Sequence, residues 1–377
     1  MGRTNRIITA LVVLAVVAVG AVAVVAGSGG DSTAAGERST REESASRDLI
    51  GPHSPEPGAL PGTLVVARGE KCVIQLVDLT RMRFSKAGPE SGCDFAASPD
   101  GSLAAVAAPG GDPAASEQRY ELVGLADRPE TQSGLGALPS EPVWSPDGER
   151  IAACDPASSP EAIVVPTDGN PRQSVSGCWP AYSSDGALVT RTVADLTVEL
   201  PTDGIYVDGE ELVTLADIVA AAAGSVEGQG FVLGHTTGAD GVIAVSLAHA
   251  SAGGDAQGSL QLWQDGALSS VVEIPLFLDE RDIPANITTD SLRDRLRLSP
   301  SSSEIAIVLE DGAGELLIVD LQSNTVLGPL DHNDFDWSPD GRWLAVANGS
   351  GVSVYGPSRD EEPTFQLPLI TPALAWR

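Results

Sequence analysis

Basic residues are scarce in this chain. Lys and Arg number 22 against 52 Asp and Glu, which leaves a net charge of −30 over 377 residues. Such a surface repels phosphate backbones and anionic headgroups, so nucleic-acid binding is disfavoured and no nucleic-acid partner is expected. Lysine occurs only as Lys71 and Lys86, which with abundant Ala, Val and Gly suggests a high-GC bacterial gene. Histidine is equally sparse, at positions 53, 235, 249 and 332, too scattered to form a ligand set. The linear signatures of common catalysts are missing: there is no G-x-S-x-G elbow, no P-loop and no H-E-x-x-H pair. Four cysteines are present without C-x-x-C spacing, which argues against a metal centre. Neither a metal nor a cofactor is expected, and the chain reads as a non-enzyme.

The amino terminus holds the one long hydrophobic run. Arg3 and Arg6 precede Ile7 to Ala26, a stretch without a charged residue. As a helix it would span about 30 Å, the thickness of a bilayer core. The two arginines are expected to stay cytoplasmic, sending the rest of the chain outside. Residues 1–6 would then be a cytoplasmic stub, 7–26 a single-pass anchor in the cell membrane, and 27–61 a linker. A cleaved signal peptide, giving a secreted protein, is the competing reading, because Ala21-Val22-Ala23 offers an A-x-A-like site. No Cys follows the run, which argues against a lipoprotein anchor. Residues 27–61 carry Gly, Ser, Glu, Arg and Pro with hardly a bulky apolar residue, the composition of a flexible tether.

One string recurs: Ser98-Pro-Asp-Gly101, Ser145-Pro-Asp-Gly148 and Ser338-Pro-Asp-Gly341, with degenerate copies at Ser183-Ser-Asp-Gly186, Gly238-Ala-Asp-Gly241 and Ser299-Pro-Ser-Ser302. Pro sets φ for the first central turn position, Asp bonds neighbouring backbone, and Gly supplies positive φ. The string therefore joins two antiparallel strands. Two further β-rich runs follow each pair, often across Asp-Gly, as at Asp208-Gly209 and Asp265-Gly266. Asp147 follows Asp100 by 47 residues, and Asp185 follows Asp147 by 38, the spacing of four-stranded propeller blades. A mostly bulky residue stands three before the turn Asp or its equivalent: Ala97, Trp144, Tyr182, Thr237, Leu298 and Trp337. Trp376 lies one repeat beyond Trp337, while the folded region opens at Gly62 with a second-strand pattern over Thr63 to Ala67. The last residues are thus expected to supply the first blade's missing strand and close the ring without a covalent bond. The fold class is an all-β propeller over 62–377, seven-bladed, or six-bladed if the copy near Asp240 is no blade.

These strings resemble the WD40-like PD40 repeats of the TolB propeller family and of propellers attached to prolyl-oligopeptidase-type hydrolases. The resemblance rests on Trp-Ser-Pro-Asp-Gly at Trp144 and Trp337, and it implies a propeller rather than a function. For TolB itself it implies an envelope protein that binds other proteins, although no separate amino-terminal TolB domain is legible here.

Cys93 and Cys178 each open a first strand; Cys72 begins a third strand and Cys154 ends a second. Because strands alternate in direction, these positions share one face, and the spacing predicts the pairs Cys72–Cys93 and Cys154–Cys178, two staples between adjacent blades in an oxidising compartment. Four buried free thiols are the alternative.

That same face carries the connections of variable length: Asp155 to Glu161, Arg191 to Asp203, Ala216 to Gly230, Ala248 to Gly258 and Pro275 to Ser291. Variable loops on a rigid scaffold are where binding usually sits. Asp279, Glu280, Asp282, Asp331, His332 and Asp334 form the candidate binding face, whose acidity favours a cationic ligand or basic protein segment; clustered surface acids are more often simply solvated. Asp331, Asp334 and Asp336 lack the pattern of a calcium loop. The expected function is a monomeric, tethered scaffold for an envelope protein or small ligand. An enzyme with an unrecognised site in the channel is the second class.

Overall fold

The computed structural model describes residues 55–56, 58–68, 72–90, 95–108, 118–125, 131–138, 142–155, 161–192, 204–222, 225–251, 256–274, 296–309, 315–323, 325–332, 334–357, 363–369, 371 and 373–377. Residues 1–54, which hold the expected stub, anchor and most of the linker, lie outside these; the end of the expected linker belongs to the fold, with Leu60 buried in its core. Among the described residues no helix is long and apolar enough to cross a membrane.

Seven four-stranded antiparallel sheets follow one another along the chain. We number them blades 1 to 7 and call the strands a to d, from the channel outward. Strand a is Leu374–Trp376 in blade 1, Phe95–Ala97 in blade 2, Val143–Trp144 in blade 3, Cys178–Tyr182 in blade 4, Ser225–Thr237 in blade 5, Leu296–Leu298 in blade 6 and Asp334–Trp337 in blade 7. Blade 1 is closed as expected. Its strand a comes from the carboxyl end and pairs with Thr63–Arg68 in the register Leu64↔Trp376, Val65↔Ala375 and Val66↔Leu374. Thr63 and Arg377 exchange both backbone hydrogen bonds, at 2.6 and 2.9 Å.

The turn motif works through its serine as well as its aspartate. Ser98, Ser145 and Ser338 are buried. Each hydroxyl donates to the motif Asp and accepts the backbone N–H five residues on, from Leu103, Arg150 and Trp343 at 2.9 to 3.0 Å. The Asp in turn accepts the N–H two residues later. The buried serine hydroxyl and the backbone N–H groups it faces are thereby satisfied although the turn is partly buried. Gly101, Gly148 and Gly341 take φ near +70°, a region closed to most side chains.

The degenerate copies are true blade turns, which settles the count at seven rather than six. At blade 6, Ser302 occupies the left-handed position with φ +53°, and its hydroxyl accepts from Ala239 N at 2.8 Å. At blade 5, Gly238 replaces the serine because a Cβ there would lie 2.2 Å from Leu298 Cδ2 and 2.4 Å from Ser302 Oγ.

The bulky residue three before the turn is an inter-blade latch. Trp144 Nε1 donates to Ala96 O, Trp337 Nε1 to Arg297 O and Thr237 Oγ1 to Tyr182 O, each a carbonyl on strand a of the preceding blade, at 2.6 to 3.1 Å. Around these latches every pair of adjacent blades shares one apolar cluster. The cluster joining blades 3 and 4 is the smallest among the described residues, built on Ala152, Ala162, Val164 and Leu188. The disulfide Cys154–Cys178 crosses that interface, with Cα atoms 4.9 Å apart. Cys72 is disulfide-bonded too; its expected partner Cys93 lies outside the described residues.

Two stretches read as loops are regular structure. Within Ala216 to Gly230 the chain forms helix α1, Leu215–Ala221, started by a reciprocal Thr214–Asp217 capping box, and then strand a of blade 5. Ile218 and Val219 bury against blades 4 and 5, a tertiary gain that a short alanine-rich run does not advertise. Within Ala248 to Gly258, strands b and c of blade 5 (Ile243–Ser251 and Ala256–Gln264) continue pairing through His249↔Gln257 and Ala250↔Ala256.

Candidate binding site in the central channel

The strands a surround a cavity of about 510 Å³. Its lining follows from their alternation. Of the residues three before the turn Asp, Trp144, Thr237 and Trp337 latch the preceding blade, whereas the described residues four and six before it border the channel. Most are small or neutral: Ala96, Val143, Ala181 and Thr236 stand at the fourth position. Blades 6 and 7 differ, placing Arg297 and Asp336 there, with Asp334 at the sixth. One stretch of wall is therefore charged.

Asp336 and Asp334 hold the closing strand. Asp334 Oδ2 accepts Leu374 N at 2.7 Å, and Asp336 Oδ2 accepts Trp376 N at 2.9 Å. Asp336 also pairs with the Arg377 guanidinium at 3.0 Å. Arg377 further donates from Nε and Nη2 to Ala97 O of blade 2, at 3.4 and 3.2 Å, so one side chain ties blades 7, 1 and 2. Arg297 of blade 6 stacks on the Phe335 ring at 4.8 Å and donates to Phe335 O. Its nitrogens come no nearer than 3.7 Å to Asp334 and 3.9 Å to Asp336. Burial pushes the Asp334 carboxyl up to about 6, outweighing the opposing pull of Arg297 and of the N–H groups of Leu374 and Phe335.

Across the cavity the wall is aromatic. Trp179 is half-buried, sits at φ +54° beside the bridged Cys178, and carries the Arg191 guanidinium 4.4 Å from its ring centre. Arg191 is buried and donates to Val232 O at 2.7 Å. His235 lies next to it. Burial first, and the Arg191 charge second, push its imidazole down to about 3, so it is neutral throughout the physiological range; its Nδ1 is enclosed without a hydrogen-bond partner. Among the described residues no group of three or more His, Cys, Asp and Glu could hold a metal ion.

No protein-family model matches the sequence. No curated protein matches it either. Solved structures do. Dihydro-heme d1 dehydrogenase NirN in complex with DHE aligns at 15% identity and TM-score 0.47, over 88% of this chain and 80% of that one. The β-propeller domain of the Trilobed protease from Pyrococcus furiosus aligns at 14% and 0.45, over 78% and 93%. A chain of the mitotic checkpoint complex aligns at 12% and 0.43, over 85% and 89%.

The residues singled out in the sequence separate in the fold. Asp331 is exposed at the end of strand d of blade 6, Val326–Asp331. His332 is buried, edge-on to Phe335 at 5.8 Å. Asp334, read as part of a connecting loop, opens strand a of blade 7 and borders the channel. Asp279, Glu280 and Asp282 lie outside the described residues. Sequence reading passed over Arg297, Arg377, Trp179, Arg191 and His235. Counting four and six residues back from each turn Asp would have marked Arg297 and Trp179 as channel positions.

Proposed function

We propose that the chain is a membrane-anchored, extracytoplasmic β-propeller that acts as a binding scaffold in the cell envelope, of the TolB-like kind its repeats resemble, and that it receives its ligand at the central channel. The apolar run at 7–26 and the disulfide Cys154–Cys178, a bond that persists in oxidising compartments, support the location. One observation carries the binding role: five charged side chains, Arg191, Arg297, Asp334, Asp336 and Arg377, border a cavity whose other lining is mostly apolar, the composition of a ligand pocket with a few placed polar groups.

The raised Asp334 favours a second reading, an enzyme using that carboxyl as an acid or base. Its Oδ2, however, is committed to Leu374 N–H and Asp336 to Trp376 and Arg377, so both carboxylates serve the ring closure, and binding is preferred. The test is differential scanning fluorimetry of the full chain in detergent, with small molecules extracted from cell envelopes. A melting shift in the wild type that is lost in Arg297→Gln is expected. No shift, or an equal shift in the variant, would remove the channel as the binding site. Membrane fractionation checks the anchor, and a shortened protein in the medium would remove it.

A further inference from the structure

Trp179 is held in the channel wall by an irregular piece of backbone. The register of blade 4 runs Cys178↔Arg191 and then Ala181↔Val189, so Trp179 and Pro180 stand opposite Thr190 alone, a bulge in strand a. Trp179 takes φ +54°, a region unfavourable to a bulky side chain, which persists only where its surroundings enforce it. Here they do. Cys178 is bridged to Cys154 of blade 3. Gly177 allows an approach so close that a Cβ there would lie 2.5 Å from Thr190 Oγ1. Arg191, anchored on Val232 O of blade 5, lies 4.4 Å from the indole centre. Bulges serve to re-aim side chains, and this one sets an indole on the cavity wall. The fold makes no polar use of it. The indole N–H groups of Trp144, Trp263, Trp337 and Trp376 are bonded within the protein, whereas that of Trp179 has no hydrogen-bond partner among the described residues.

The charged groups of the channel are committed to the protein itself. Both Asp334 oxygens accept backbone N–H groups, from Phe335 and Leu374. Asp336 accepts from Trp337 N, Trp376 N and Arg377, and Arg377 also donates to Ala97 O. Arg297 donates to Phe335 O and stacks on that ring. A charged ligand would therefore shed its hydration without gaining a partner, and a cation would also meet the Arg191 charge already on the indole. The wall of blades 2 to 4 beside Trp179 is apolar at Ala96, Val143 and Ala181. Building on the channel reading, we propose that Trp179 is the stacking platform for an uncharged, planar aromatic molecule. Its ring lies on the indole and its edge against those three side chains, while the committed charges shape the wall without meeting the ligand. The cavity, at about 510 Å³, falls within the usual range for small-molecule sites.

Isothermal titration calorimetry on the full chain in detergent at neutral pH tests this with quinoline, which is uncharged there, and with two analogues of the same ring, cationic N-methylquinolinium and anionic quinoline-3-carboxylate. Quinoline is expected to bind saturably and each charged analogue about tenfold more weakly or worse. Trp179→Leu should lose about tenfold for quinoline, and Trp179→Phe, which keeps a ring face, should stay within about threefold of the wild type. No saturable binding of quinoline, a charged analogue binding as tightly, or unchanged affinity in a cooperatively melting Trp179→Leu would overturn the assignment. Should Trp179→Leu not fold, the three-ligand comparison in the wild type and the retained binding of Trp179→Phe decide between themselves. If envelope extract shifts the melting point of the wild type while quinoline fails, only the aromatic assignment falls; if both fail, the channel reading falls with it.

Discussion

Replacing Trp376 by Ala should open the ring at one place. The indole is 1% exposed within the cluster that joins blades 7 and 1, and its Nε1 donates to Pro61 O at 2.9 Å. An aromatic of this size buries about 150 to 250 Å², worth about 4 to 6 kcal/mol at ~25 cal/mol per Å², of which the remaining methyl keeps about 1. Losing the indole hydrogen bond costs about 1 kcal/mol more. The sum, about 4 to 6 kcal/mol, overlaps measured losses of ~3 to 5 kcal/mol for Trp→Ala in cores and is a large part of a domain's ~5 to 15 kcal/mol. The cost should appear locally, because the closing strand of three residues is joined to blade 1 by no covalent link. Native-state hydrogen exchange reads it directly: the amides of Thr63 and Ala67, which bond to Arg377 O and Ala373 O, should exchange about a thousandfold faster. Trp144→Ala is the matched control. It removes a similar buried indole with a similar hydrogen bond, but its blade is built from consecutive chain, so Thr63 and Ala67 should keep their protection. Unchanged exchange at Thr63 and Ala67 in Trp376→Ala, or the same loss in Trp144→Ala, would refute non-covalent closure as the weak seam.

Four further outcomes are expected. Replacing Cys154 and Cys178 by Ser should destabilise the fold by about 3 kcal/mol, given the separation of 24 residues, with urea melts showing the loss and exchange placing it between blades 3 and 4, where the apolar cluster is smallest. Asp334, pushed up to about 6 from an ordinary 3.8, binds its proton more tightly folded than unfolded. Stability should therefore fall as pH rises from 4 towards 7, by at most about 3 kcal/mol, and thermal melts of Asp334→Asn should lose that slope. The turn carboxylates Asp100, Asp147 and Asp185 act in the opposite sense, since the Ser hydroxyl bond first and a backbone N–H next hold them low, so their contribution is lost on acidification below about 4 in every variant. Gly238→Ala drives a methyl into Leu298 and Ser302 and should cost about 1 to 3 kcal/mol in a denaturant melt.

Much of this architecture is local chemistry and is legible for that reason. The Ser-Pro-Asp-Gly turn bonds its serine and aspartate to its own backbone within six residues, so each clear copy announces a hairpin. The missing first strand is a matter of counting. Cys154 and Cys178 fall on one face because strand direction alternates, and they are bonded. Helix α1 was hidden because its burial depends on Leu247 and Trp263, far along the chain. The acidic string around Asp331 looked like one surface feature because adjacency in sequence was taken for adjacency in space.

The sequence by itself determined the repeat, the hairpin within each repeat and the vacancy that the carboxyl end fills, since these depend on residues a few positions apart or on simple spacing. Only the tertiary structure decided which of the channel's side chains meet. Arg297, Asp334 and Asp336 come from two strands and Arg377 follows a third; place in the repeat marks the first three as channel positions, but only curling seven sheets around one axis brings all four charges to the same wall.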